Sequence, residues 1–443
     1  MTHPLFTKHE ATLGQGLVAI ETRGYWSPFA EMPSPKVYGE TASADGEAAF
    51  KAHLGKTFEI DQPSTGETVG NERSPFGVAL DIRYPKSDPD TLIQAAAKAQ
   101  TDWRAAGPKA WVGVSLEILS RLNRASFEIG FSVMHTTGQA FMMAFQAGGP
   151  HAQDRALEAV VYAWDQLRRI PQEAHWEKPQ GKNPPRAMNK RFTIVPRGAG
   201  LVLGCCTFPT WNGYPGMFAD LATGNVVIVK PHPGAILPLA ITVRIARDVL
   251  REAGFDPNVV TLLATEPNDG AIVQNLAVRP EIKLIDFTGS TQNGSWLERN
   301  AHQAQVYTEK EGVNQIVIDS VDDLKSTARN IAFSLALYSR QMCTAPQNIY
   351  VPREGIQTPD GHLSFDDVAK AIADAVQKLM FDPARAVELT GAVQNDGIAQ
   401  RVTEPRKLGN VLFDSQTLTH PVFAEARVLK LDARTDEAAF TKE

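Results

Sequence analysis

The sequence predicts an α/β protein built on a doubly wound parallel sheet, with a second α/β unit after it. Three observations carry that reading. From Arg191 onward, apolar strands alternate with helical patterns (RFTIVPRGAGLVLGCC, NVVIVKP, VVTLLA, IKLIDFTGS), and strands separated by helices pair in parallel. One of them, IKLIDFTGS, runs straight into a Gly-containing turn that opens a helix. The composition, 43% hydrophobic and 21% charged with 33 Gly and 29 Pro over 443 residues, excludes a disordered, collagen-like or coiled-coil chain and leaves room for two or three cores.

Residues 1–60 mix Gly, Pro, short helical stretches and isolated aromatics (Trp26, Phe29, Phe50) without a sustained period, and read as an N-terminal extension. DQPSTGETVG is a turn-rich entry, after which Asp88, Pro89 and Asp90 signal the start of a helix over TLIQAAAKAQTDWRAA. Apolar residues at helical spacing from Trp111 to Ile129 and from Ala156 to Leu167 add cover helices. Residues 174–195 turn to Pro, Lys, Gln and Asn, too polar to bury, and read as a projecting arm or a solvated linker. Beyond it come a Pro238-initiated helix closed by Gly254, a helix from Ser295 to Gln305, and strands at QVYTE and QIVID.

Lys plus Arg total 44 against 50 Asp plus Glu, a net charge of −6, so no basic excess invites nucleic acid. The three cysteines, two of them adjacent, form no disulfide framework, which points to the cytoplasm. The start, MTHPLFTKHEATLGQG, lacks a basic segment followed by an apolar core, and nowhere is there an apolar run that would span a bilayer, so no membrane association is expected. The ten histidines make no ligand-spaced cluster with the cysteines, and no metal is expected.

Four segments have chemical potential. FTGSTQNG places Gly289 and Gly294 around Ser290 between a strand and a helix, where free N–H groups and the helix dipole favour an anion; taken alone it is a tight turn. Lys230 ends NVVIVKP at the carboxyl edge of the sheet, where ligands of such folds bind, although a solvated lysine is the commoner case. Cys343, in SRQMCTAPQNIYV, lies at a polar-to-apolar change before a strand and is the better nucleophile, while Cys205 and Cys206 lie inside an apolar strand-like run and read as small core hydrophobes. Glu309 precedes Cys343 by 34 residues and alone would be a surface charge.

Taken in order, TFPTWNGYPGMFADLATGN, VIVKPHPG, DFTGSTQNGSWLE, the glutamate at a strand end and SRQMCTAPQNIYVPREG resemble the aldehyde dehydrogenase superfamily from about Asp61 to the C-terminus. The resemblance implies a Rossmann-type dinucleotide-binding domain from residues 61–173 and 196–310, an oligomerisation arm at 174–195, and an incomplete α/β catalytic domain over 311–443. It implies that Cys343 attacks an aldehyde carbonyl, that hydride passes to NADP or NAD, and that Glu309 activates the water that hydrolyses the resulting thioester. Lys230 would hold the adenosine ribose, with Gly289, Ser290 and Gly294 flanking the pyrophosphate. The substrate implied is a ring-opened aldehyde of aromatic-acid catabolism, carried on coenzyme A, and the assembly a homo-oligomer.

The departures are specific. Alignment back from LATGN puts Thr207 where relatives carry an oxyanion-donating Asn, with Asn212 and the backbone N–H of Cys343 as alternatives. Pro233, after His232, replaces the Glu that in NAD-preferring relatives binds the ribose hydroxyls, which makes NADP at least as plausible as NAD. Lys310-Glu311-Gly312 follows Glu309, and Glu311 rivals it as the base. Glu443 falls about where relatives carry a glutamate that holds the nicotinamide ribose, and a truncated chain is the expectation there. Two rival readings are an acylating enzyme that passes the thioester to coenzyme A, against which Glu309 argues, and a non-catalytic cofactor-binding or assembly protein.

Overall fold

The computed structural model describes residues 3–403, 410–430 and 433–435. Asp88 accepts the Thr91 N–H at 2.9 Å and Pro89 follows it, a start signal that opens α1 (Pro89–Ala106). Gly107, at φ 79°, turns the chain into α2 (Pro108–Arg124), and a one-residue break at Ala125 separates α2 from α3 (Ser126–Thr137), so the expected single helix from Trp111 to Ile129 is two. α4 (Pro150–Leu167) completes this layer. The extension is part of the same core: Phe6, Leu13 and Phe50 are buried in it, under helices at Pro4–Lys8, Glu10–Thr22 and Ala42–Lys51.

Residues 173–191 form an antiparallel hairpin, Glu173–Gln180 against Asn183–Arg191, almost wholly exposed. Phe192 N closes it onto Gln172 O at 2.8 Å. The expected strand over RFTIVP is absent beyond Arg191, because Gly198 N is taken by the Asn225 side chain and the sheet ladder begins at Ala199.

The sheet contains β1 (Ala199–Leu203), β2 (Val226–Lys230), β3 (Val260–Leu262), β4 (Ile282–Gly289) and β5 (Gln305–Lys310), in the order β3-β2-β1-β4-β5, all parallel. The crossovers are α5 (Pro209–Ala222), α6 (Leu237–Glu252), α7 (Gly270–Ala277) and α8 (Thr291–Asn300). Helices on both faces explain why β1 reads as unbroken apolar sequence, whereas edge strand β5 alternates in exposure. The helix after the glycine turn starts at Thr291 and stops at Asn300, earlier at both ends than expected, because Ser290 caps it by accepting Asn293 N at 3.3 Å.

β6 (Asn314–Val317) pairs in parallel with β7 (Pro346–Tyr350), and α9 (Leu324–Ala336) packs on α10 (Phe365–Leu379) around a second apolar cluster that includes Ile331, Leu335, Val368 and Ile372. Gly138 fastens the later chain to the first layer: at φ 83°, a Cβ there would stand 2.4 Å from Ala392 O, and Ala392 N donates to Gly138 O at 2.7 Å. Among the described residues no helix is long and apolar enough to cross a membrane, and no group of His, Cys, Asp or Glu could hold a metal ion.

Candidate active site

In a sheet of order β3-β2-β1-β4-β5 the connections leave in opposite directions from β1 and β4, and the crevice beyond their carboxyl ends is where such folds bind ligands. Cys205 and Cys206 lie there, past the end of β1 rather than inside a strand as expected. Cys343 comes to the same region from the other side. Tyr338, Ser339 and Arg340 take left-handed φ of 51, 52 and 61°, a costly conformation for side-chain-bearing residues that turns the chain sharply out of α9. The turn is held by side chains: Tyr338 OH donates to Thr137 O, Ser339 Oγ to Thr390 O at 3.0 Å, and Gln341 Nε2 to Ala392 O at 3.1 Å.

The Cys343 thiol donates to Glu309 Oε1 at 3.5 Å, joining residues that the sequence separates by 34 positions. Asn314 steadies the Cys343 backbone, its Nδ2 donating to Cys343 O and, at 3.2 Å, to Ala345 O. Burial, reinforced by the Glu309 charge and hydrogen bond, pushes the thiol up to about 11, so it rests protonated and hydrogen-bonded to the carboxylate. Glu311 is elsewhere: its Oε1 accepts Thr291 N, at the start of α8, at 3.0 Å. The two glutamates thus stand apart, one carboxylate at the thiol and one at a helix start.

Thr207 and Asn212 both turn toward Cys205. Thr207 Oγ1 stands 3.9 Å and Asn212 Nδ2 3.4 Å from its sulfur, and Gln139 Nε2 holds Thr207 O at 2.8 Å. Asn212 Oδ1 is buried without a hydrogen-bond partner among the described residues. Phe208, Tyr338, Ala147, Met143, Trp211 and Met342 pack around Cys205 and give this side of the crevice an apolar wall.

Asp286, on β4, is a half-buried carboxylate with no flag in the sequence. It lies diagonally from Glu309 on one face of the sheet, as the pairing Asp286↔Tyr307 and Thr288↔Glu309 requires. Burial, the Glu309 charge adding to it, raises its carboxyl to about 7. Gly216 of α5 makes its room: a Cβ there would fall 2.5 Å from Asp286 Cγ.

The expected cofactor residues lie on the opposite face and along the strand ends. Gly294 brings α8 against β4 and β5, a Cβ there meeting Lys310 at 2.6 Å and the Phe287 ring at 3.2 Å. Gly289 ends β4 and Ser290 caps α8. A carboxylate, that of Glu311, rests on Thr291 N at this helix start, the end of a helix that favours an anion. Lys230 ends β2, and partial burial draws its amine down to about 8. His232 Nδ1 accepts Gly234 N at 3.0 Å, holding the loop in which Pro233 stands. Glu443 lies outside the described residues.

Residues 55–407 match the model of the aldehyde dehydrogenase family. The chain is 24% identical over 330 residues to a 1-pyrroline-5-carboxylate dehydrogenase of Geobacillus thermodenitrificans, covering 72% of this chain and 59% of that protein. A Bacillus licheniformis protein of the same name is 26% identical over 372 residues, 80% of this chain and 65% of its own. This chain thus spans about three-fifths of the curated relatives it matches. The solved structure of an NAD-dependent aldehyde dehydrogenase from Burkholderia multivorans is 82% identical, with a TM-score of 0.96, covering 98% of this chain and 77% of that one. A mutant of the 1-pyrroline-5-carboxylate dehydrogenase of Thermus thermophilus, at 18% identity and a TM-score of 0.70 over 92% of this chain and 77% of its own, shares the fold. The two-sided crevice, the Cys343–Glu309 contact and the family match over most of its length agree, and the chain belongs to the aldehyde dehydrogenase family.

Proposed function

We propose that this chain oxidises an aldehyde to a carboxylic acid with NAD or NADP, through a covalent intermediate on Cys343. The observation that carries the reading is the thiol of Cys343 hydrogen-bonded to Glu309 at the topological switch point. The Cys343 thiol gives its proton to solvent and its sulfur bonds to the aldehyde carbon, giving a thiohemiacetal whose oxyanion faces the Thr207–Asn212 side and the Cys343 backbone N–H, with Glu309 left free to act as base in the later step. When bound, the nicotinamide supplies the acceptor for the hydride that leaves this carbon. The thioester left on Cys343 is hydrolysed by a water that gives its proton to Glu309 as its oxygen bonds to the acyl carbon and the C–S bond breaks.

Gly289, Ser290 and Gly294 seat the pyrophosphate against α8, Lys230 with Pro233 beside it holds the adenosine ribose, and Glu443 belongs to the nicotinamide side. In this reading, residues 61–173 and 196–310 are the dinucleotide-binding domain and 311–443 the catalytic one. The Burkholderia protein is described as NAD-dependent, which favours NAD here. The motif wording is most like the phenylacetic acid degradation protein PaaN, and the substrate class proposed is a ring-opened, CoA-linked semialdehyde, handled in the cytoplasm. The hairpin, with Trp176 and Met188 exposed, supports a homo-oligomer formed through the arm. The test is reduced-cofactor formation by the purified chain over a panel of aldehydes: turnover abolished by Cys343→Ala supports the thiol mechanism, and turnover that survives refutes it.

A further inference from the structure

Position 233, three residues past Lys230, carries a proline and no charge, so any carboxylate near the Lys230 amine must come from another strand. β2 and β3 are paired at Val229↔Leu262, and Leu263 N donates to Val229 O at 2.8 Å, so the chain leaving β3 departs beside Lys230. Its next turn is fastened at both ends. Glu266 N donates to Asp269 Oδ2 at 2.8 Å, Asp269 N returns to Glu266 O at 3.1 Å, and Glu266 Oε1 accepts Gly70 N at 2.9 Å. Asp269 directly precedes α7 without capping it, and its Oδ1 has no hydrogen bond among the described residues.

Lys230 makes no ion pair among the described residues, yet the charge of Asp269 reaches it and opposes the fall that burial imposes on its amine. The other cations of this corner are engaged. Lys86 pairs with Glu67 at 2.7 Å, and Arg83 donates to Gly70 O and, at 3.0 Å, to Thr68 O, with Glu266 3.9 Å away. What remains is one donor at the end of β2 and one acceptor in the turn between β3 and α7, with no net charge. A ribose diol matches that pair. A 2′-phosphate would bring up to two negative charges against a carboxylate, with a single lysine to meet them.

We propose that Asp269, reaching the adenosine ribose from the β3–α7 turn, makes this chain select the dinucleotide with a free 2′-hydroxyl over its 2′-phosphorylated form, with Lys230 holding the same ribose from β2. The proposal rests on the reading above that the cofactor lies along these strand ends. The test is direct binding: calorimetric titration of the full chain with NAD and with NADP, for the wild type, Asp269→Asn and Asp269→Ser. Asparagine keeps an oxygen for Glu266 N and removes only the charge. The wild type should bind NAD at least about tenfold more tightly than NADP, and both variants should narrow that ratio by about tenfold, chiefly by tightening NADP. A merely structural role would weaken both dinucleotides in parallel and overturn the proposal, as would a wild type that prefers NADP or a ratio unmoved in either variant. Failure of the wild type to bind either dinucleotide refutes the cofactor-site reading itself, and the assignment of Asp269 falls with it.

Discussion

Replacing Glu309 by Gln should make Cys343 easier to alkylate while stopping turnover. The thiol stands at about 11 against an ordinary 9.0, with burial the first cause and the carboxylate 3.5 Å away the second. Glutamine keeps the bulk and removes the charge. A unit charge at about 4 Å is worth roughly 1 kcal/mol in water and about 4 kcal/mol near a protein surface, and because Glu309 is exposed the lower end applies. That corresponds to about 0.7 of a pH unit, hence about fivefold more thiolate near pH 8. The assay is the rate of iodoacetamide labelling of Cys343 between pH 7 and 10, read by mass spectrometry against a Cys343→Ala control. Steady-state acid formation by the same variant should fall by roughly 10²–10⁴, the worth of a general base. Labelling that slows or stays unchanged in Glu309→Gln would refute the account, for the carboxylate would then be assisting ionisation more than opposing it.

Asp286→Asn should stabilise the protein in a pH-dependent way. Its folded value of about 7 lies above the 3.8 of a free carboxyl, so the stability its proton gives is complete below about pH 4 and lost as pH rises through 7. The variant's advantage in denaturant unfolding should therefore grow between pH 5 and 8.5, to an order of 2–4 kcal/mol. Gly216→Ala should cost about 1–3 kcal/mol at neutral pH, because its methyl would stand 2.5 Å from the Asp286 carboxyl carbon, and thermal unfolding checks this. Charges placed at Trp176 and Met188 should lower the mass measured by light scattering if the hairpin is the assembly surface, and leave it unchanged otherwise.

The strands of the sheet were legible because buried parallel strands are continuous apolar words, and LVL and VVIV can be little else. The pairing of Cys343 with Glu309 was legible only through motif order, since 34 residues and the whole of α9 separate them in the chain. Periodicity failed where exposure was uniform. The hairpin at 173–191 buries neither face and contains prolines, so nothing alternates. It failed again where glycines do the packing: Gly16 against Val161, Gly46 against Phe127 and Gly113 against Phe6 seat the extension on the helices by close approach, which leaves no hydrophobic rhythm to read. Asp269 escaped because its nearness to Lys230 is created by strand pairing and has no local signature.

Glu311 on the Thr291 N–H is a tethered competitor for the anion seat of α8. A carboxylate on a short leash presents an effective concentration on the order of millimolar or above, so free phosphate or sulfate below that level should leave the helix start untouched. On the cofactor site proposed above, a dinucleotide would escape this penalty by binding at two places at once, its ribose at the end of β2 while its pyrophosphate displaces the glutamate. Such a site would discriminate by valency, admitting a ligand that can grip twice and turning away those that can grip only once.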